Sequence, residues 1–527
     1  MTAEIFTNSD TSIFSSTKKW GELIENTEFV NVLLRDVLEE YIQKKRWFEG
    51  KSNKIKYIEL SDYFKIQQER ELYFDLLLEV NFVEAFYHHY FTPIAFTSDK
   101  NIAPKSQTLQ ILLNNQEGFI VDAIYLESFR KVVYQIISSA LLVNKTPVQY
   151  HKTEEFNSLS YKSSRFLGVE QSNTSIIYND TFILKFFRRI YADKNPDYEM
   201  SPFLSDKTAF KQTPTYLGSI EIINSENINI TIGLMQKLVP NNGDAWEYFL
   251  KEINQIFTSI DSKEISFKDS PAVEMFQRKK NSELPPQITD WMGLNLIHKV
   301  NLLTQRTAEM HIALSSELEE TAFTPARFNG DYTVWLENRL TYQFQNRLNL
   351  TENNLHKLDG YALQLAKEVL EKKNEIRKHL VNFDWTKLKG ERIRSHEDYH
   401  LGQILVQDDD FCVLGFEGEP ESTIRDRKVK QPPLKKVAGL FRSFHCAIYA
   451  TIFNNTKNYN KPQKELFECG ELLYKYMVAV FLKRYREITQ KANLLIGYTN
   501  ERIFLLKYCL LEKAIYELGY ELNSRPE

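Results

Sequence analysis

The chain has 527 residues, 43% of them hydrophobic and 26% charged, with a formal net charge of −4. That length allows about two to four domains, each with a core of its own. Acids and bases are spread without a basic block, which argues against nucleic acid or an anionic membrane as a partner. No apolar run approaches the roughly 18 residues of a membrane span, and the N-terminus, with Glu4 and Asp10, lacks the apolar stretch of a signal peptide. Cys412, Cys446, Cys469 and Cys509 are widely spaced and form no C-x-x-C pair. Reduced thiols and a cytoplasmic location are therefore expected.

Residues 54–124 carry strand-like runs: K-I-K-Y-I-E-L, E-L-Y-F-D-L-L-L-E-V and A-F-Y-H-H-Y-F-T-P-I. Phe129, Val132, Val133, Ile136 and Ile137 predict a helix over 126–143. Together these make a β-rich N-terminal domain, residues 1–146. A polar linker at 147–160 leads to strands at 174–187, where Asn179-Asp180 suits a hairpin turn. A short helix near 196–204 and strands near 214–223 and 230–239 complete a second domain over 147–242. Helical patterns dominate 243–527. Residues 262–290, with Pro285-Pro286, read as an exposed insertion. Long helices are predicted at 293–317 and 355–382, and three more near 434–454, 463–490 and 499–522. Two short strands at 403–407 and 411–416 flank the turn Asp408-Asp409-Asp410.

The segment I-R-S-H-E-D-Y-H-L-G-Q-I-L at 393–405 sets His396, Asp398 and Gln403 on one loop. Phosphoryl transfer needs a carboxylate against the attacking hydroxyl and, a few residues on, an oxygen that holds Mg²⁺. H-x-D-x-x-x-x-(N/Q) supplies both. The pattern also fits a solvated loop in which His396 and Asp398 bond each other and the backbone. After one hairpin comes F-C-V-L-G-F-E-G-E-P at 411–420, where kinases place a second metal-binding carboxylate. That position holds Gly415. Glu417, two residues on, shares a face with it in an extended chain. Glu417 and Glu419 fit a solvated acidic loop, or contacts to a neutral polar substrate, equally well. Lys185, in F-I-L-K-F-F, is either an edge-strand lysine or a phosphate anchor paired with Glu199. G-V-E-Q-S-N-T-S at 168–175 is a polar turn suited to lie over phosphates, though it is no Walker motif.

In this order the motifs resemble the maltokinases, including forms fused to trehalose synthase, over nearly the whole chain. Q-K-K-R-W-F-E-G-K at 43–51 is similar to the family's N-terminal cap signature. I-L-K-F-F-R-R with N-P-D-Y-E is similar to its nucleotide lobe. N-N-G-D-A-W, T-A-E-M-H-I-A-L, D-Y-H-L-G-Q, F-E-G-E-P, P-L-K-K-V-A-G-L-F-R-S-F and K-A-I-Y-E-L-G-Y-E-L-N-S-R-P complete the match. The resemblance implies an α+β, bilobal protein-kinase-like fold: a β-rich cap and nucleotide lobe, an α-helical C-lobe, and a site in the cleft. It implies that ATP and Mg²⁺ convert maltose to maltose 1-phosphate for α-glucan synthesis, with trehalose synthase as a partner. Asp398 takes the place of the catalytic aspartate, with His396 beside it. Gln403 takes that of a metal ligand, with Glu417 a stand-in for the second. Lys185 and Glu199 form the nucleotide pair, and Gln236 and Leu238 lie in the hinge beside adenine. Glu417, Glu419, Arg442, Tyr516, Glu517 and Tyr520 are the candidates for contact with maltose. Two positions depart from the family: Glu397 in place of Gly within H-G-D, and Gly415 in place of Asp within D-F-E-G-E-P. Gly415 favours one rival reading, a silent pseudokinase that binds sugar or nucleotide; a second rival is a kinase for another sugar or amino alcohol, since related folds phosphorylate many hydroxyls.

Overall fold

The structure is a computed structural model. It describes residues 5–8, 11–51, 53–68, 71–102, 109–139, 147–156, 159–167, 173–223, 228–262, 273–317, 319–381, 384–419, 422–455 and 459–524. Most of the polar turn at 168–175, the end of the helix predicted over 126–143 and much of the proline-containing insertion lie outside these. The chain divides into two compact units, residues 1–202 with 214–239, and residues 203–213 with 240–527.

The first unit is built on two sheets. One contains β1 (Ile5–Asn8), β2 (Thr11–Ser16), β3 (Ile55–Gln68), β4 (Glu71–Phe82), β5 (Tyr87–Thr97), β6 (Leu109–Leu113) and β7 (Gln116–Asp122), in the order β1-β2-β6-β7-β5-β4-β3. The other contains β8 (Val148–Lys152), β9 (Ser164–Phe166), β10 (Thr174–Tyr178) and β11 (Phe182–Phe186). A short β12 (Arg189–Ile190) returns to pair with β5. β13 (Tyr216–Ile223) and β14 (Asn229–Lys237) finish the second sheet, ordered β8-β13-β14-β11-β10-β9. Asn179 and Asp180 both take left-handed backbone (φ +53° and +49°), as a tight β10–β11 hairpin requires.

The run in β4 reads as nearly continuous apolar sequence because both faces of its sheet are covered. Phe74, Leu76, Leu78 and Val80 join a core with the N-terminal helical segment, including Leu33, Tyr41 and Trp47. Tyr73 and Leu77 face the other way, into a core with helix α1 (Glu127–Ser139) and the second sheet. Arg188 and Asp122 form a buried ion pair at 2.7 Å. Asp122 also accepts from the Tyr41 hydroxyl, and the Arg188 guanidinium lies 5.1 Å from the centre of the Trp47 ring. Arg188 Nε donates to Thr174 Oγ1 at 2.8 Å. A buried pair is tolerable when its remaining donors and acceptors are satisfied in this way.

The second unit is helical. After α2 (Pro196–Pro202) in the first unit come α3 (Ala245–Ser262), α4 (Pro286–Ala313), α5 (Gly330–Asn354), α6 (Gly360–Glu371), α7 (Lys373–Val381), α8 (Pro433–Asn455), α9 (Gln463–Lys491) and α10 (Thr499–Ser524). The hairpin β15 (Ile404–Gln407) and β16 (Asp410–Val413) lies among them. α8 is central, burying Val437, Leu440, Phe441, Phe444 and Ile448. The helix predicted at 355–382 is two helices, and α4 begins before Gly293, whose φ of +74° kinks it. α5 has no counterpart among the predicted helices. Asn329 caps it by accepting from the Tyr332 N–H at 3.0 Å, and its buried residues Tyr332, Leu336, Leu340, Phe344 and Leu348 fall four apart. All four cysteines are free. Among the described residues no helix is long and apolar enough to cross a membrane.

One residue in the first unit breaks the apolar pattern. Asp75 on β4 points into the core with Tyr73 and Leu77, is 3% exposed, and its Oδ1 has no hydrogen-bond partner. Burial pushes its pKa up to about 8. A carboxyl with a raised folded pKa stabilises the fold below its unfolded pKa and loses that contribution as pH rises through the folded value. Asp75→Asn should therefore stabilise the protein by about 1–3 kcal/mol at pH 8 and by less at pH 5. Thermal melts at the two pH values check this; an equal shift at both would show that ionisation is not the cause.

Candidate active site

The loop at 393–400 is fixed largely through backbone groups. Ile393 and Gln431 exchange both N–H···O bonds at 2.9 Å. His396 is fully buried, and each ring nitrogen has a backbone partner: Nε2 meets the Leu414 carbonyl at 2.7 Å, and the Asp398 N–H meets Nδ1 at 3.2 Å. A carbonyl only accepts and an amide N–H only donates, so the ring is the neutral Nε2–H tautomer. Burial lowers its pKa to about 4, which keeps it neutral. His396, expected in the catalytic set, is thus a positioning residue: no ring nitrogen is left for a substrate.

Asp398 is placed by that clamp. Burial alone would raise its pKa, but His400, Lys513 and His396 outweigh burial and hold the carboxylate well below the usual range. His400 accepts from the Gly402 N–H at Nδ1 (3.1 Å), which puts its Nε2 hydrogen toward Asp398 Oδ2, 3.6 Å away. A carboxylate held so low is too weak a base to draw a proton off a hydroxyl early.

The metal positions read differently. Gly415 has a φ of +70°, and a Cβ built on it would lie 2.3 Å from Gln403 Oε1. The Gln403 amide therefore fills the volume that a side chain at 415 would need. The Leu414 N–H donates to the Gln403 carbonyl at 2.9 Å, tying the two segments together. Glu417 is half-buried beyond Phe416. Among the described residues no three His, Cys, Asp or Glu side chains come together to hold a metal ion. Of the amide and carboxylate that hold Mg²⁺ in kinases, only the amide, Gln403, has a counterpart at the expected position, so the residues present do not fit that pair. In the β15–β16 turn, Asp410 is committed to Arg306 by two 2.7 Å bonds.

Beside the loop, the helical unit holds a pocket of about 620 Å³, its mouth included. Glu397 reaches into it and pairs with Lys436 at 2.9 Å, while also accepting from Ser395 Oγ at 2.7 Å. Glu512 pairs with Lys435 at 2.8 Å and Arg339 at 2.9 Å, and Glu419 with Lys513 at 2.7 Å. Trp335 Nε1 donates to Asp426 at 3.0 Å, and the Lys513 ammonium sits 4.6 Å from the centre of the Tyr516 ring. Of the sequence candidates, Glu419 and Tyr516 line this pocket. Arg442 and Glu517 do not; they bond each other at 2.7 and 3.0 Å. Tyr520 is half exposed and also outside it. Lys435, Lys436, Glu512, Lys513, Arg339 and Trp335 escaped the sequence reading.

The nucleotide candidates lie in the first unit. Lys185 Nζ meets Asp197 Oδ2 at 2.7 Å, two residues ahead of Glu199 on α2. Glu199 is half-buried, its N–H bonded to the Asn195 carbonyl. Gln236 is buried, and its amide donates to Ser201 Oγ at 3.0 Å. The Leu238 N–H donates to the Thr181 carbonyl at 2.8 Å. That N–H is spent within the sheet and is not open to a nucleobase.

Gly415→Asp should not create the missing ligand. The left-handed φ and the Gln403 contact both oppose it. We expect the variant to lose about 1–3 kcal/mol of stability with no gain in Mg²⁺-dependent turnover. Titrating Mg²⁺ with and without a paired Gln403→Ser substitution checks this; a rise in turnover with Gly415→Asp alone would show that the loop yields.

No family model matches the chain. Among solved structures, it is similar to a glucosamine kinase in complex with glucosamine, ADP and inorganic phosphate. The TM-score is 0.59 at 14% identity, covering 97% of this chain and 96% of that one. Two crystal forms of glucosamine kinase give TM-scores of 0.58 at 13% identity, form B over 92% of this chain and 95% of that one, and form A over 97% and 96%. The likeness spans both units and shows the fold: an α+β, kinase-like architecture with a β-sheet lobe and a helical C-terminal region.

Proposed function

We propose that the protein transfers the γ-phosphoryl group of ATP to a hydroxyl of a neutral sugar bound in the pocket of the helical unit. The carrying observation is an ionised Asp398 held next to a pocket whose carboxylates are offset. Glu397, Glu419, Asp426 and Glu512 share it with five lysine and arginine side chains. An ammonium-bearing sugar such as glucosamine would seek a carboxylate in excess, and this pocket offers none. A neutral disaccharide needs donors, acceptors and ring faces, which the ion pairs, Trp335 and Tyr516 supply. Maltose is the acceptor that the sequence resemblance favours, giving maltose 1-phosphate and ADP. On that reading trehalose synthase would be the partner that supplies it, and Lys185, with Asp197, would anchor the phosphates. In the transfer, the sugar oxygen forms its bond to phosphorus as the bond to the ADP oxygen breaks, and the hydroxyl proton passes to Asp398.

Gly415 favours a second reading, a protein that binds the sugar and turns it over slowly or not at all. Incubation with ATP, Mg²⁺ and maltose, glucose or glucosamine in turn, with detection of sugar phosphate, separates the two. If glucosamine is phosphorylated best, the charge argument fails. Sugar binding without any product would leave the second reading standing.

Asp398→Asn should lower turnover about 10²–10⁴-fold while sugar binding persists. Neither Asp398 nor His396 titrates in the neutral range. The parent kcat should therefore show no acid limb between about pH 5 and 8. Turnover retained in the variant, or a limb near neutrality that it abolishes, would remove Asp398 from this role.

A further inference from the structure

We infer that a second pocket of the helical unit, lined by α9, α10 and the start of α8, binds a small amphiphilic anion: a carboxylate or phosphate joined to an apolar body. Its cavity is about 410 Å³, mouth included. That size suits a small molecule. The floor is apolar: Leu434 of α8, Leu482 of α9, Leu506 of α10 and Phe276 are all buried there. Leu434 directly precedes Lys435 and Lys436, which line the pocket beside the Asp398 loop, so the first turn of α8 contributes to both cavities.

Three arginines line the same cavity, Arg278, Arg486 on α9 and Arg502 on α10, and no acid among the described residues does. Arg502 has only neutral partners: it donates to the Gly497 carbonyl and, at 3.0 Å, to Thr499 Oγ1. Arg278 and Arg486 make no hydrogen bond or ion pair with any described residue. The acids next to them in sequence are spent elsewhere. Glu501 accepts from the Lys389, Gly390 and Tyr498 N–H groups at 2.9, 2.8 and 3.0 Å, and Glu487 pairs with Lys483 at 3.2 Å. Burial and the neighbouring Arg486 lower the Arg502 pKa, against a smaller pull from Glu501. Like charges gathered over an apolar floor cost free energy in the empty protein, and one bound anion relieves that cost. The planar guanidinium matches carboxylate and phosphate oxygens in pairs. The floor supplies the second requirement, since only a ligand with a hydrocarbon or aromatic body removes it from water.

The test is isothermal titration of the full chain at low ionic strength with octanoate, octyl phosphate, octanol and acetate. Octanoate or octyl phosphate should bind about tenfold more tightly than octanol or acetate, equivalent to about 1.4 kcal/mol. The tighter of the two names the head group. Arg278→Gln and Arg486→Gln should each weaken that binding about fivefold. Arg486→Lys keeps the charge and should lose less. Neither arginine holds a polar contact of the fold, so the variants should melt with the parent. Equal affinity for octanoate, octyl phosphate and octanol would reduce the site to an apolar cavity and overturn the inference. Acetate bound as tightly as the octyl probes would reduce it to a patch of charge, and the inference would fail in the same way. So would a parent that binds neither octyl anion, or an affinity for the tighter one that both glutamine variants leave unchanged.

Discussion

A single neutral imidazole organises the site. His396 joins the Leu414 carbonyl to the Asp398 amide, so the ring sets the distance between the 393–400 loop and the end of β16. The bridge works only while Nδ1 is free to accept. Burial meets that condition by lowering the pKa, and packing against Phe416 and Tyr399, at 4.8 and 5.5 Å between ring centres, fixes the orientation. The H-x-D pattern therefore has a mechanical meaning: the histidine is a strut and the aspartate is the group it presents.

The pocket follows a different rule. Its charges are buried as pairs and triads, Glu397 with Lys436, Glu512 with Lys435 and Arg339, and Glu419 with Lys513. Such pairs add little net stability, but removing one member strands the other in a low-dielectric setting. They also present fixed donors and acceptors without a large net charge, which suits a substrate rich in hydroxyls. Glu397, the residue that departs from the H-G-D pattern, belongs to this network and brings the loop itself into contact with α8.

Much of the β-rich unit could be read from the chain. The runs at 54–60, 71–80 and 85–94 fall in β3, β4 and β5, and Asn179-Asp180 turns where its left-handed preference predicts. α5 was hidden because its apolar residues fall at strict four-residue steps on an otherwise polar helix, a narrow stripe that offers little periodic signal. The loop that carries His396, Asp398 and Gln403 is contiguous in the chain, so its grouping could be read from the sequence. The site was illegible where the pocket draws single charged residues from α5, α8 and α10, since no local pattern marks a lysine whose partner lies 77 residues away, as for Lys435 and Glu512. The inward turn of Gln236 and the contact of Lys185 with Asp197 depend on how α2 packs on its sheet, which neighbouring residues in sequence do not reveal.

The same geometry explains how the ordered loop of His396 and Asp398 coexists with Gly415. Both links to the adjoining segment, His396 to the Leu414 carbonyl and the Gln403 carbonyl to the Leu414 N–H, end on backbone atoms of residue 414. Neither requires a side chain at 415. Loss of the carboxylate thus costs the loop no contact, and the Gln403 amide takes up the space. Placement of Asp398 and supply of metal ligands are separable properties of this fold. The Asp398 loop and the pocket beside it stay ordered without a side chain at 415, because their order comes from a buried ring and a set of ion pairs.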